Sequence, residues 1–65
     1  MDSLKGSYIC VKSFKLNNGV DVKEGTYWEY IGSDEMFLCN LKSVDNEVIK
    51  VSCLTLACKF IKLNL

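Results

Sequence analysis

Val22-Lys23-Glu24-Gly25-Thr26-Tyr27-Trp28-Glu29-Tyr30 is the stretch on which the reading of this chain turns. Lys23-Glu24-Gly25 is a charged turn that ends in glycine, the residue that enters positive φ without steric penalty. It leads directly into an aromatic segment, Thr26 to Ser33, that holds the only Trp. Successive side chains on a strand point to opposite faces, so Trp28 and Tyr30 share one face, and Tyr27, Glu29 and Ile31 share the other. The glutamate marks its face as wet. Trp28 and Tyr30 are therefore expected inward, in the core of a very small β structure, with Tyr27 and Ile31 outward.

Upstream, Tyr8-Ile9-Cys10-Val11-Lys12-Ser13-Phe14 is rich in β-branched and aromatic residues and predicts a first strand from Ser7 to Lys15. Both of its faces carry apolar groups, which a curling strand or a bulge near Val11 would accommodate. Asn17-Asn18-Gly19 is a turn signal, because Asn and Gly tolerate positive φ. Val20-Asp21-Val22 is a brief extended piece, so 15–25 reads as a folded-over loop with its own short pairing. Downstream, Gly32-Ser33-Asp34-Glu35 predicts a hairpin connection and Met36 to Leu41 a returning strand. Ser43-Val44-Asp45-Asn46 turns again, and Glu47 to Val51 follows with Ile49 and Val51 inward. Ser52 is placed to cap a helical turn from Cys53 to Ala57 or slightly beyond, with Leu56 and Phe60 plugging one end of the core. Phe60 to Leu63 alternates and reads as a closing strand. Residues 1–6 read as a flexible leader, and 7–65 as a single domain. Five short strands, tight turns and one short helical turn before the last strand predict an all-β fold, a small five-stranded SH3-like barrel.

Composition narrows the function. A chain of 65 residues has room for one small core, and a domain of this size buries only about 60 % of the surface its unfolded form exposes. The 49 % apolar content argues against disorder. Every basic side chain is a lysine, and the net charge is zero. Bidentate reading of phosphates and bases mostly uses arginine, and phosphate binding needs clustered positive charge, so nucleic acid is a disfavoured partner. The remaining nucleic-acid reading rests on Lys12, Lys15, Lys23 and Lys42 with aromatic stacking. No exporting leader is recognised and no run approaches the ~20 apolar residues that span a bilayer, so a cytoplasmic protein with no membrane association is expected.

The four cysteines, Cys10, Cys39, Cys53 and Cys58, lack the close Cys-x-x-Cys pairs of structural zinc sites, and there is no histidine to complete one. Cys10 and Cys39 read as compact apolar side chains in strands, with thiols kept reduced in the cytosol. Without histidine a Cys-His nucleophile is excluded, and the chain shows no glycine-rich phosphate loop or serine nucleophile elbow. Neither an enzyme nor a cofactor is expected. A protein-binding module is the leading class. Its expected contact residues are Tyr27, Ile31 and Phe37 on the outer sheet face or beside it, and Leu54, Cys58 and Ile61 in an apolar C-terminal region. Leu54, Leu56, Cys58, Ile61 and Leu63 together exceed what one short helix and one strand are expected to bury, so a homodimer or a docking site is anticipated there.

Tyr8-x-Cys10-Val11-Lys12-Ser13-Phe14, the Asn-Gly turn, Val22-x-x-Gly25-x-x-Trp28-Glu29, Leu38-x-Asn40, Ile49-x-Val51-Ser52 and Leu56…Phe60 give the chain a further character. In these elements, from Tyr8 to about Leu63, it resembles small uncharacterised SH3-like proteins from phages and prophages of low-GC Gram-positive bacteria. The resemblance implies a phage accessory protein in the host cytosol that binds, and thereby inhibits, a host or phage protein such as a defence effector. It brings no catalytic residues. Relatives of this kind have an acidic last segment, whereas Cys53-Leu54-Thr55-Leu56-Ala57-Cys58-Lys59 is apolar, which singles this segment out as a contact surface.

Overall fold

The computed structural model describes residues 5–34 and 38–63. The described chain forms strands β1 (Ser7–Cys10), β2 (Phe14–Lys15), β3 (Asp21–Val22), β4 (Tyr27–Ser33), β5 (Cys39–Ser43) and β6 (Val48–Val51). Helix α1 (Cys53–Lys59) and strand β7 (Phe60–Leu63) complete it. Five strands make one antiparallel sheet in the order β6-β5-β4-β1-β7, and β2 and β3 form a separate two-stranded pair. The architecture is all-β with one short helix.

The long first strand anticipated from Ser7 to Lys15 is broken. Pairing with β4 and β7 ends by Cys10, and the backbone resumes a ladder only at Phe14, where β2 meets β3. The break lies near Val11, where apolar residues on both faces pointed to an irregularity. It releases the 11–25 excursion, whose base is tied on both sides. The Gly25 amide donates to the Cys10 carbonyl at 2.7 Å, and the Cys10 amide to the Thr26 carbonyl at 2.9 Å. The Glu24 amide donates to Ser13 Oγ at 2.8 Å. Gly25 has φ +89°, a region that other residues enter only with strain. Val22 from this excursion reaches the core, and Phe14 packs edge-on against Phe60 with ring centroids 5.8 Å apart.

The core lies on one face of the sheet. It is built from Tyr8 and Cys10, Trp28 and Tyr30, Cys39 and Leu41, Ile49 and Val51, with Leu56 and Phe60 closing one side. The inward assignment of Trp28 and Tyr30 holds, as does that of Ile49 and Val51. Trp28 Nε1 donates to Thr26 Oγ1 at 2.8 Å, and that hydroxyl donates to the Lys23 carbonyl at 2.6 Å. The indole N–H is therefore satisfied inside the core through the turn that precedes its strand.

The β5–β6 turn works as the sequence suggests, whereas the β4–β5 connection starts later than the expected Gly32: Gly32 and Ser33 belong to β4, opposite Asn40 and Cys39, and Glu35 lies outside the described residues. Asp34 brackets the β4–β5 connection, its amide donating to the Leu38 carbonyl and its Oδ1 accepting the Leu38 amide, both at 3.0 Å. At the β5–β6 turn Ser43 Oγ accepts the Asp45 and Glu47 amides, and Asn46 takes φ +66°. The returning strand begins at Cys39 rather than Met36; Met36 itself lies outside the described residues. Ser52 caps α1, its Oγ accepting the Thr55 amide at 3.1 Å. Phe60 is not part of the helix. Its extended φ and ψ start β7, so it reaches the core from a strand while Leu56 reaches it from the helix. Gly6, at the end of the expected leader, accepts the Tyr30 amide at 3.0 Å.

Candidate functional site

Alternation along β4 sends Tyr27, Glu29 and Ile31 to the sheet face opposite the core. Tyr27 is 56 % exposed and Ile31 49 %. Register decides which of them have apolar company. Ile9 on β1 stands opposite Tyr27 on β4 and opposite Ile61 on β7. Ile61, Ile9 and Tyr27 therefore form one apolar row across three strands, with Ile61 and Tyr27 open to solvent. Val44, at the beginning of the β5–β6 turn, is exposed and lines with Tyr27 and Leu63 a shallow groove of about 520 Å³.

The next row is polar at its centre and apolar at its ends, where Leu63 stands opposite Ser7 and exposed Val48 opposite Lys42. Glu29 faces Ser7 on one side and Lys42 on the other. It separates Tyr27 from Ile31, which lies where the β4–β5 register shifts between Tyr30 and Gly32. The outer face thus joins Tyr27 to Ile61 through Ile9, a residue the sequence reading did not single out, and leaves Ile31 apart. Phe37 lies outside the described residues.

Leu54 and Cys58 sit four residues apart on α1 and are both exposed. Residues at that spacing lie on the same side of a helix. Leu56 is buried beneath the helix and does not belong to the exposed set. The helix runs straight into β7, and the Val11 amide donates to the Lys59 carbonyl at 2.8 Å, tying the helix end to the strand break after β1.

A second concavity of about 610 Å³ opens between the β2–β3 pair and the β6–α1 junction, lined by Phe14, Leu16, Leu38, Val51 and Thr55 among others. Lys15 and Lys50 flank it. Each has a carboxylate nearby, Asp21 at 3.9 Å from Lys15 and Asp34 at 3.2 Å from Lys50. Sequence reasoning missed this groove. Its walls come from segments some forty positions apart, and only the long-range pairing brings them together. The turn signal at Asn17-Asn18-Gly19 was the one hint that this region projects.

Two of the four lysines offered for nucleic acid have acidic neighbours. Lys15 is paired with Asp21, and Lys42 stands opposite Glu29 on the outer face. Among the described residues no three His, Cys, Asp or Glu side chains cluster as metal ligands. No helix among them is long and apolar enough to cross a membrane. Comparison of the chain with protein-family models, curated proteins and solved structures gives no match.

Proposed function

We propose that this chain is a non-enzymatic protein-binding module, built on a small SH3-like barrel, that contacts its partner through the outer face of the sheet. The observation that carries the reading is the Ile61–Ile9–Tyr27 row. Register aligns three apolar side chains on the solvent side of three adjacent strands, two of them more than half exposed. An aromatic side chain within an apolar row, bordered by Glu29 and Lys42, has the anchor-and-rim composition of a binding surface. Leu54 and Cys58 on α1 supply a second apolar surface for the same purpose. The SH3-like assignment draws support from the strand order, from the long excursion between β1 and β4, and from the short helix directly before the last strand.

The absence of histidine from the sequence, together with the lack of a phosphate loop or a nucleophile motif, favours binding over catalysis. Neutral net charge, the Lys15–Asp21 ion pair and the position of Lys42 opposite Glu29 favour a protein over nucleic acid. With the sequence resemblance added, the reading becomes a phage or prophage accessory protein of the host cytosol that binds a host or phage protein and blocks it.

Affinity capture from host lysate tests the reading when the wild-type chain is run beside Tyr27→Ser and Ile61→Ser. The expected result is a protein enriched by the wild type and lost with both variants. Equal enrichment by all three chains would place the contact elsewhere, and a salt-sensitive nucleic-acid shift without any protein partner would favour the rival class. Light scattering on the same samples distinguishes a second copy of the chain as occupant of the face, since a dimer would become monomeric in the variants.

A further inference from the structure

We propose that Cys39 and Cys53 form a reactive dithiol, a modification site for low-molecular-weight disulfides of the glutathione type, which closes into an intramolecular disulfide. The two sulfurs lie 3.6 Å apart, in hydrogen-bonding contact. The fold explains why they meet although thirteen residues separate them. Cys39 on β5 is in register with Val51 on β6, the chain turns at Ser52, and the first residue of α1 is returned over Cys39. The surroundings of the pair are asymmetric. Cys39 is fully buried, and Cys53 is exposed. An accessible thiol backed by a sheltered one is the arrangement of an attacking and a resolving cysteine.

The chemistry balances by thiol–disulfide exchange. Cys53 loses its proton and its sulfur attacks one sulfur of the small disulfide, displacing the other half as a thiolate and leaving a mixed disulfide on Cys53. Cys39 then loses its proton and attacks the Cys53 sulfur, displacing the second small thiolate. The two protons from the cysteines end on the two small thiols. The protein is oxidised by two electrons, and one small disulfide is reduced to two thiols. Closing from 3.6 Å to the roughly 2.05 Å of a disulfide bond requires only a local shift, which the exposed side of Cys53 can make.

The other cysteines are placed differently. Cys10 is buried and directs its thiol to the Lys12 carbonyl at 3.3 Å, and Cys58 lies in the last turns of the helix. The bond would tie β5 to the start of α1. Leu38 and Ser52, the residues immediately before the two cysteines, line the groove beside the β2–β3 pair. Oxidation therefore sets the rigidity of one wall of that groove.

The test uses the full chain carrying Cys58→Ser, because Cys53 and Cys58 fall on the same tryptic fragment. Folded protein is incubated with oxidised glutathione and read by intact mass and tryptic mapping; Lys42 and Lys50 provide cleavage between the two cysteines. The expected product has lost two hydrogen masses, links the Cys39 fragment to the Cys53 fragment, and is restored by dithiothreitol. The Cys53→Ser, Cys58→Ser double variant gives no such link. Closure in the folded chain runs on the order of ten-fold or more faster than in the same chain in urea, because the fold holds the thiols together. A stable glutathione adduct on Cys53, a link to Cys10, equal rates in the folded and urea-treated chain, or three unreacted thiols in the Cys58→Ser chain would each overturn the proposal.

Discussion

Trp28 is the residue on which the core depends most. It is 5 % exposed, and its indole N–H is satisfied through Thr26. Truncation to alanine removes a large packed side chain from a small core, so Trp28→Ala is expected to cost ~3–5 kcal/mol. Chemical denaturation checks this, and with the modest stability of a domain this size the variant is expected to be largely unfolded. Thr26→Val makes a finer prediction. It keeps the shape but leaves the buried indole N–H without its acceptor, for an expected loss of about 1–3 kcal/mol in the same assay. Tyr27 next door should behave in the opposite way. Its side chain lies on the outer face, so Tyr27→Ser should change stability by no more than about 0.5 kcal/mol while abolishing partner binding. This contrast between neighbours was legible in the sequence, because a single glutamate in an alternating strand marks the wet face. The meeting of Cys39 and Cys53 was not legible. Their spacing matches no motif, and the contact is created by the β5–β6 register and the turn at Ser52.

At the scale of elements, short-range chemistry set what could be foreseen. Ser52 announced the helix start, and the structure places its hydroxyl on the Thr55 amide. Ser52→Ala is expected to destabilise the fold by about 0.5–2 kcal/mol, measured by thermal or denaturant unfolding. The helix end was less visible, because Phe60 continues the helical spacing from Leu56 yet adopts extended backbone to pair with Cys10. Tertiary pairing outweighs periodicity there. The break after Cys10 follows the same logic: β propensity runs on through Val11, but the pairing partners on β4 and β7 do not. Gly25 closes the base of the resulting excursion at φ +89° with open space around its Cβ position. Gly25→Ala should therefore act through backbone strain alone and cost about 1–3 kcal/mol.

For the whole molecule, the all-β class and the inward face followed from strand propensity and alternation, whereas the order of strands in the sheet and the surfaces it creates did not. The outer row needs Ile9 to stand opposite both Tyr27 and Ile61, and register of that kind depends on which strands become neighbours. The groove between the β2–β3 pair and the β6–α1 junction likewise exists only once distant segments have been brought together. Of the contact residues expected from the sequence, Tyr27 and Ile61 are joined in one row, Leu54 and Cys58 share the helix surface, and Ile31 stands apart beyond Glu29. The central claim is that the outer row is a protein-binding surface. Its most direct test is quantitative capture from host lysate by the wild-type chain and by Tyr27→Ser and Ile61→Ser, each verified as folded by near-ultraviolet circular dichroism of Trp28. Enrichment of one protein by the wild type, reduced to background in both folded variants, is the predicted result. Undiminished capture by the folded variants, or no protein enriched by the wild type, would contradict it.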